Sequence, residues 1–324
     1  MSRALNAVLV RAAGRVLGGR DRLSVIALHS IRKAPDPLFP AELDVAAFDR
    51  LVAHLAGNYS VMRLGDGFEA LRSGRLPPRA LVITFDDGYA DNATLALPVL
   101  RRRGVAATFF VATGFLDGGL MWNDSVIECL RRSTRPSVDL SSFGLREARL
   151  GSMDDRRAAI DALLPVIKYQ TLAVRREMLA RLQALCGDPE LPRTLMMTST
   201  QVRELAAAGM EIGAHTVNHP ILACEMLATV QAEVAESRRE LQALTGQSVD
   251  VFAFPNGRPG KDYRREHVQV LRDQGFRCAV STAHGIAAPG DDPLQLPRFT
   301  PWDRSFWRWS MRLLHAQRVA AAAA

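Results

Sequence analysis

At 324 residues, with 48% hydrophobic and 23% charged side chains, the chain has the composition of one large folded domain, or of one domain carrying a sizeable insertion, and not of a disordered polymer. Its net charge of +7 has an uneven origin: residues 1–33 carry Arg3, Arg11, Arg15, Arg20, Arg22, Arg32 and Lys33 against Asp21 alone, which leaves the remainder close to neutral. That distribution excludes a generally basic, nucleic-acid-binding surface.

The first segment, 1–22, reads as an amphipathic helix with Leu5, Val8, Leu9, Ala12 and Val16 near one face. It either packs on the domain or rests on anionic lipid as a peripheral membrane contact. Its apolar run is too short and too interrupted by arginine for a secretory signal, and no stretch of the chain approaches the roughly 20 apolar residues of a membrane span. Cys129, Cys186, Cys224 and Cys278 lie far apart with no CxxC pair, which argues against a zinc ribbon or disulfide scaffold and favours a reducing compartment. The expected location is the cytoplasm.

Beyond it, short β-rich runs alternate with helical patterns. Strands are predicted at 23–29, 80–85, 107–111, 211–214, 250–254 and 277–281, with helices near 45–57, 90–103, 200–208, 224–244 and 261–274. The alternation implies βα units and a parallel sheet, either a barrel or a doubly wound sheet. From 114 to 195 the rhythm breaks: helical patterns such as "SVIECLRR" and "DDRRAAIDALLPVI" continue, but no strand is evident, so this stretch reads as a helical insertion. The expected division is a barrel over 23–113 and 196–310, with 311–324 as a tail.

Chemistry-bearing residues follow the predicted strands. His29 follows the first; Asp86 and Asp87 follow 80–85; His215 and His219 follow 211–214; "PNGRPG" follows 250–254. In a parallel barrel the carboxyl ends of the strands share one face, and that face carries the active site. His215 and His219, four apart, would lie about 5–6 Å from each other on one side of a helical turn. With a carboxylate they make a three-ligand set that leaves a position for water, as catalytic zinc requires. The same donors suit cobalt, nickel, manganese or iron. Alone, the histidine pair equally describes two packed or surface side chains, and "DDGY" equally describes a turn. Together, one carboxylate can hold a cation that offsets the repulsion between neighbours, and the other can act as a base.

"TFDDGY", "HTVNHP" and "FAFPNG" resemble the first three signature motifs of the polysaccharide deacetylases, the NodB-homology group of carbohydrate esterase family 4. "PVLRRRGVAATFFV" and "QVRELAAAGMEIGAHT" are also similar to that family, and the resemblance covers roughly 23–113 and 196–300. It implies a distorted (β/α) barrel and metal-dependent removal of N-acetyl groups from amino sugars. It further implies Asp86 as catalytic base, Asp87, His215 and His219 as ligands of one divalent ion, zinc first, and Asn256 at the oxyanion position through its backbone N–H.

Two departures matter. The arginine that opens the family's third motif and steadies the catalytic aspartate is replaced by Ala253, and Arg298 in "LQLPRFTPW" is the candidate substitute. The late Leu-x-His motif has no convincing match, since His315 lies past the predicted barrel. "VIALHSI" resembles the circularly permuted branch of poly-N-acetylglucosamine deacetylases, which makes His29 the expected general acid. His54, His267 and His284 read as structural or surface residues, and Trp122 and Trp302 as groove walls or core anchors. The expected partner is an N-acetylated polysaccharide, oligosaccharide or glycolipid intermediate of surface-polysaccharide biosynthesis. The rival readings are a catalytically weak glycan-binding protein and an amidohydrolase of small non-sugar amides. Nothing in the sequence indicates an oligomeric state.

Overall fold

The computed structural model describes residues 21–40, 42–299 and 311–313. The predicted N-terminal helix, Trp302, His315 and most of the predicted tail lie outside them. In chain order the main elements are β1 (Ser24–Leu28), α1 (Val45–Asn58), β2 (Ser60–Met62), α2 (Leu64–Arg72), β3 (Ala80–Phe85) and α3 (Leu97–Arg103). There follow β4 (Thr108–Val111), α4 (Trp122–Arg132), β5 (Ser137–Val138), β6 (Ala148–Arg149), α5 (Met153–Lys168), α6 (Leu172–Leu185) and α7 (Ser199–Ala207). The chain continues through β7 (Glu211–Ala214), α8 (Leu227–Thr245), β8 (Val251–Ala253), α9 (Arg265–Asp273), β9 (Cys278–His284) and β10 (Leu296–Arg298).

Seven parallel strands run in the order β1-β3-β4-β7-β8-β9-β10. The residue after β10 turns the sheet into a nearly closed barrel: the Phe299 N–H donates to Val25 O at 2.7 Å, and the Ala27 N–H donates to Phe299 O at 3.3 Å. The barrel is distorted because one edge of β3 serves two partners. Its first half pairs with β2 (Ser60↔Ala80) and its second half with β4 (Thr84↔Thr108). Strands covered on both faces lack a polar side, which is why "SVIAL" and "ALVITF" are buried without interruption.

Alternation along each strand sorts the core into two layers. Leu81, Ile83, Phe85, Phe109, Ile212 and Phe252 join the outer cluster with helix residues such as Phe48, Leu51 and Leu55. Val25, Val82, Phe110, Val251, Val280 and Leu296 form an inner cluster with Leu64 and Leu71 of α2, which plugs the amino end of the barrel. That plug needs glycine for close approach: a Cβ on Gly67 would meet the Leu23 side chain at 3.1 Å, and one on Gly65 would meet Glu211 Oε1 at 2.5 Å. The Glu211 carboxylate accepts the Gly65 N–H at the first turn of α2, so the helix start is capped by the strand it covers.

Helices α4–α6 gather a core of their own around Trp122, Val126, Leu130, Ile160, Leu163, Ile167 and Leu182. The interval is not free of strand: β5 and β6 form a two-residue antiparallel pair, too short to leave a periodic signal. Strands β2 and β10, each of three residues, and helix α2, with its two glycines, also fall outside the elements predicted from sequence. No helix among the described residues is long and apolar enough to cross a membrane.

Candidate active site and metal centre

At the end of β3 the chain makes a sharp turn. Asp87 has φ +77° and Gly88 has φ +91°, in the left-handed region that aspartate and glycine tolerate best. The turn sends neighbouring carboxylates to different partners, so their mutual repulsion is met by separate counter-charges.

Asp86 continues the inner face of β3 below Thr84. There it receives both arms of the Arg298 guanidinium, Nη1 to Oδ1 at 2.8 Å and Nη2 to Oδ2 at 2.7 Å. Arg298 itself is held by Ser281 O at 2.9 Å and Thr84 Oγ1 at 3.2 Å, and is 2% exposed. Burial would raise the Asp86 pKa, but the charge and hydrogen bonds of Arg298, with smaller contributions from His215 and His29, outweigh it and hold the carboxyl below its ordinary value.

Asp87 Oδ1 faces His215 Nε2 at 3.3 Å and His219 Nε2 at 3.4 Å, and the three ligand atoms all lie within 4.8 Å of one another. The intervening loop is not the helical turn that the spacing suggested. Thr216 and His219 take φ of +65° and +49°, and the two rings sit 4.8 Å apart at 62°. His215 Nδ1–H donates to Ala253 O at 2.7 Å, which fixes the tautomer and leaves Nε2 as the free ligand. Burial pushes the His219 imidazole down to about 3, so it offers a neutral nitrogen. For His215 the burial penalty is outweighed by Asp87 and Asp86, and its pKa is raised.

The loop is clamped from both sides. Glu233 of α8 accepts the N–H groups of Val217 (2.9 Å) and Asn218 (2.7 Å). Arg175 of α6 donates to Asn218 O (2.7 Å) and His219 O (3.1 Å), with its guanidinium 5.3 Å from the Trp122 ring centroid. Arg175 is 3% exposed, and burial pulls its pKa down to about 10.

All seven residues singled out from sequence, His29, Asp86, Asp87, His215, His219, Asn256 and Arg298, line one cleft of about 650 Å³. Asn256 has φ +57° in the turn after β8, and its buried Nδ2 has no partner among the described residues. Exposed His29 sits at the end of β1, where its carbonyl accepts from Asn92 Nδ2 at 2.8 Å. The insertion contributes Trp122, Asn123, Leu164 and Lys168 to the same walls.

His284, read from sequence as a bystander, also lines the cleft from the end of β9. The strand-end rule that selected the other residues applies to it, but predicting the strand only to 281 hid the match. His267 is structural, as expected: its Nδ1 accepts the Arg264 N–H at the start of α9. The signal for Arg175 was absent, because it lies in a helix outside the recognisable motifs.

The donor set fits a small divalent cation. Tetrahedral coordination with bonds of about 2.0–2.1 Å places ligand atoms about 3.3–3.4 Å apart; Asp87 Oδ1 stands at that distance from each imidazole nitrogen, and the three atoms together span no more than 4.8 Å.

The model of the family described as polysaccharide deacetylase matches residues 73–141 and 180–279, a little over half of the chain. YxkH of Bacillus subtilis (strain 168), named as a candidate polysaccharide deacetylase, is 27% identical over 210 residues, which are 65% of this chain and 47% of YxkH. The chain thus spans about half the length of that relative. Among solved structures, the deacetylase PplD of Streptococcus pyogenes, in complex with acetate, superposes with a TM-score of 0.61 at 19% identity, covering 91% of this chain and 98% of PplD. IcaB from Ammonifex degensii gives 0.57 at 18%, covering 92% and 97%. A de-N-acetylase from Aggregatibacter actinomycetemcomitans gives 0.58 at 17%, covering 90% and 99%. These three share the distorted barrel with this chain.

Proposed function

Because the chain belongs to the polysaccharide deacetylase family, we propose that it is a metal-dependent hydrolase that removes N-acetyl groups from an amino-sugar-containing polysaccharide, oligosaccharide or glycolipid intermediate of surface-polysaccharide biosynthesis. The observation that carries this reading is the meeting, in one cleft, of a buried Asp–His–His ligand set and a second aspartate held ionised by an arginine.

An amide resists hydrolysis because its carbonyl is a poor electrophile and its amine a poor leaving group. Asp87, His215 and His219 would hold a divalent cation, which would supply electrophilic activation of the carbonyl and lower the pKa of the attacking water. The rest falls to side chains of the cleft. Asp86, ionised and oriented by Arg298, accepts the proton from the attacking water. Asn256 offers a donor to the carbonyl oxygen as negative charge develops on it; besides the backbone N–H, its unpartnered Nδ2 is available. His29 protonates the departing sugar nitrogen. His284, exposed on the same cleft, is the second imidazole able to reach that atom. The products are acetate and a free amino sugar.

The bidentate Arg298–Asp86 pair also counts against a binding-only role, since a site that only binds sugar has no use for an oriented, ionised base. The test is acetate release from N-acetylglucosamine oligomers by wild type and Asp86→Asn, with zinc or cobalt added and with chelator. Metal-dependent release that is lost in the variant is the expected result. Equal release with chelator, or an unaffected variant, would overturn the proposal.

A further inference from the structure

The chain has only three lysines, Lys33, Lys168 and Lys261, and one of them, Lys168, lines the catalytic cleft. Lys168, the last residue of α5, lines the cleft beside the site residues, as does Arg258 of the loop after β8. Lys168 and Lys261 approach the same Tyr169 ring, at 5.3 and 4.9 Å from its centroid.

Three cations thus converge from the insertion and from the loop that carries Asn256. None of them has a carboxylate within ion-pair distance among the described residues. The nearest acid, Asp262, is fully buried and already engaged: Oδ1 accepts the Tyr169 hydroxyl and Oδ2 the Arg258 N–H, each at 3.0 Å. Lys168 is half-buried. Burial, together with Arg258 and Lys261, draws its pKa below the ordinary lysine range against the pull of Asp262. Asp262 sets one negative charge against these three positive ones, so the group keeps a net positive charge that an anion in the cleft would offset.

We infer that the substrate is an anionic glycan, one that carries a phosphate or carboxylate on or next to the N-acetylated sugar, and that Lys168 and Arg258 bind that group. The inference takes its reaction from the function proposed above. The compact lysine charge and the arginine fork are complementary receptors for such oxyanions. Their placement within the cleft puts the anion close to the amide that is cut.

The experiment compares kcat/KM for acetate release from three probes: neutral N-acetylglucosamine oligomers, N-acetylglucosamine 1-phosphate, and hyaluronan tetrasaccharide, whose alternate sugars carry carboxylates. Wild type, Lys168→Gln, Lys168→Arg and Arg258→Gln are measured at low and high salt, with thermal melts to verify folding. Arg258 is exposed, so its replacement keeps the test open if Lys168→Gln fails to fold. The expected result is a preference of roughly tenfold for an anionic probe, which falls in both Gln variants and at high salt and is retained in Lys168→Arg. Preference for the phosphate or for the carboxylate probe identifies which anion is bound; either outcome supports the inference.

Equal use of neutral and anionic probes, with ratios unchanged in the variants, would overturn it and leave the deacetylase reading standing. If no probe releases acetate, calorimetric binding decides. Binding of an anionic probe that Lys168→Gln and Arg258→Gln both weaken retains the anion site while the proposed reaction falls. Binding that ignores both substitutions overturns the anion site.

Discussion

Asp86 shows how a buried charge is made usable. Its carboxylate sits 3% exposed, and only the bidentate Arg298 makes that tolerable. Arg298→Gln is expected to destabilise the fold by about 3–5 kcal/mol, because it strands a charge in the barrel interior; urea unfolding measures this. The sign of the pH effect follows from the lowered pKa of Asp86. The pair contributes its stability above the unfolded aspartate value, about 3.9, and the contribution is lost as pH falls toward the folded value. A cation at the Asp87 site shifts Asp86 in the same direction. In the variant the Asp86 pKa rises, so the acid limb of kcat/KM moves to higher pH; an unmoved limb would contradict the assigned role of the pair. For the metal centre, Asp87→Ala and His215→Ala are expected to abolish stoichiometric zinc, measured by elemental analysis of the dialysed protein.

At the scale of elements, the loop carrying His215 and His219 owes its irregular shape to two helices that touch no metal. Glu233 on α8 takes its N–H groups and Arg175 on α6 takes its carbonyls. Arg175→Ala is expected to weaken cobalt binding about 10–100-fold, as loss of a ligand's support does. Arg175→Lys is expected to rescue it poorly, since one ammonium cannot reproduce two fixed donors aimed at adjacent carbonyls. Cobalt titration followed by its visible spectrum tests both. At the opposite end of the barrel, Gly65→Ala drives a methyl into Glu211 Oε1, and a loss of about 1–3 kcal/mol in thermal or urea unfolding is the expected outcome.

For the molecule as a whole, the barrel brings strand ends far apart in sequence to one mouth and the insertion walls that mouth. Metal at a hundredfold excess over its dissociation constant is expected to raise unfolding stability by about 2.7 kcal/mol, seen as a higher melting temperature that chelator reverses. Much of this arrangement was legible from sequence. The βα alternation is a local pattern, and Asp86, Asp87, His215 and His219, which the structure gathers in one cleft, sit in short motifs at strand ends. What could not be read were contacts made by closure. Arg298 meets Asp86 across 212 positions because Phe299 pairs with β1 and the inner face of β10 points where the inner face of β3 points. Arg175 reaches the His215–His219 loop, and Lys168 and Arg258 reach the cleft, through packing of segments distant in sequence that leaves no periodic mark of its own. Residue types and their spacing determined which side chains are candidates for the chemistry. Only the tertiary structure decided which arginine meets Asp86, which helices clamp the loop of His215 and His219 and which cations line the cleft, because those choices rest on long-range geometry.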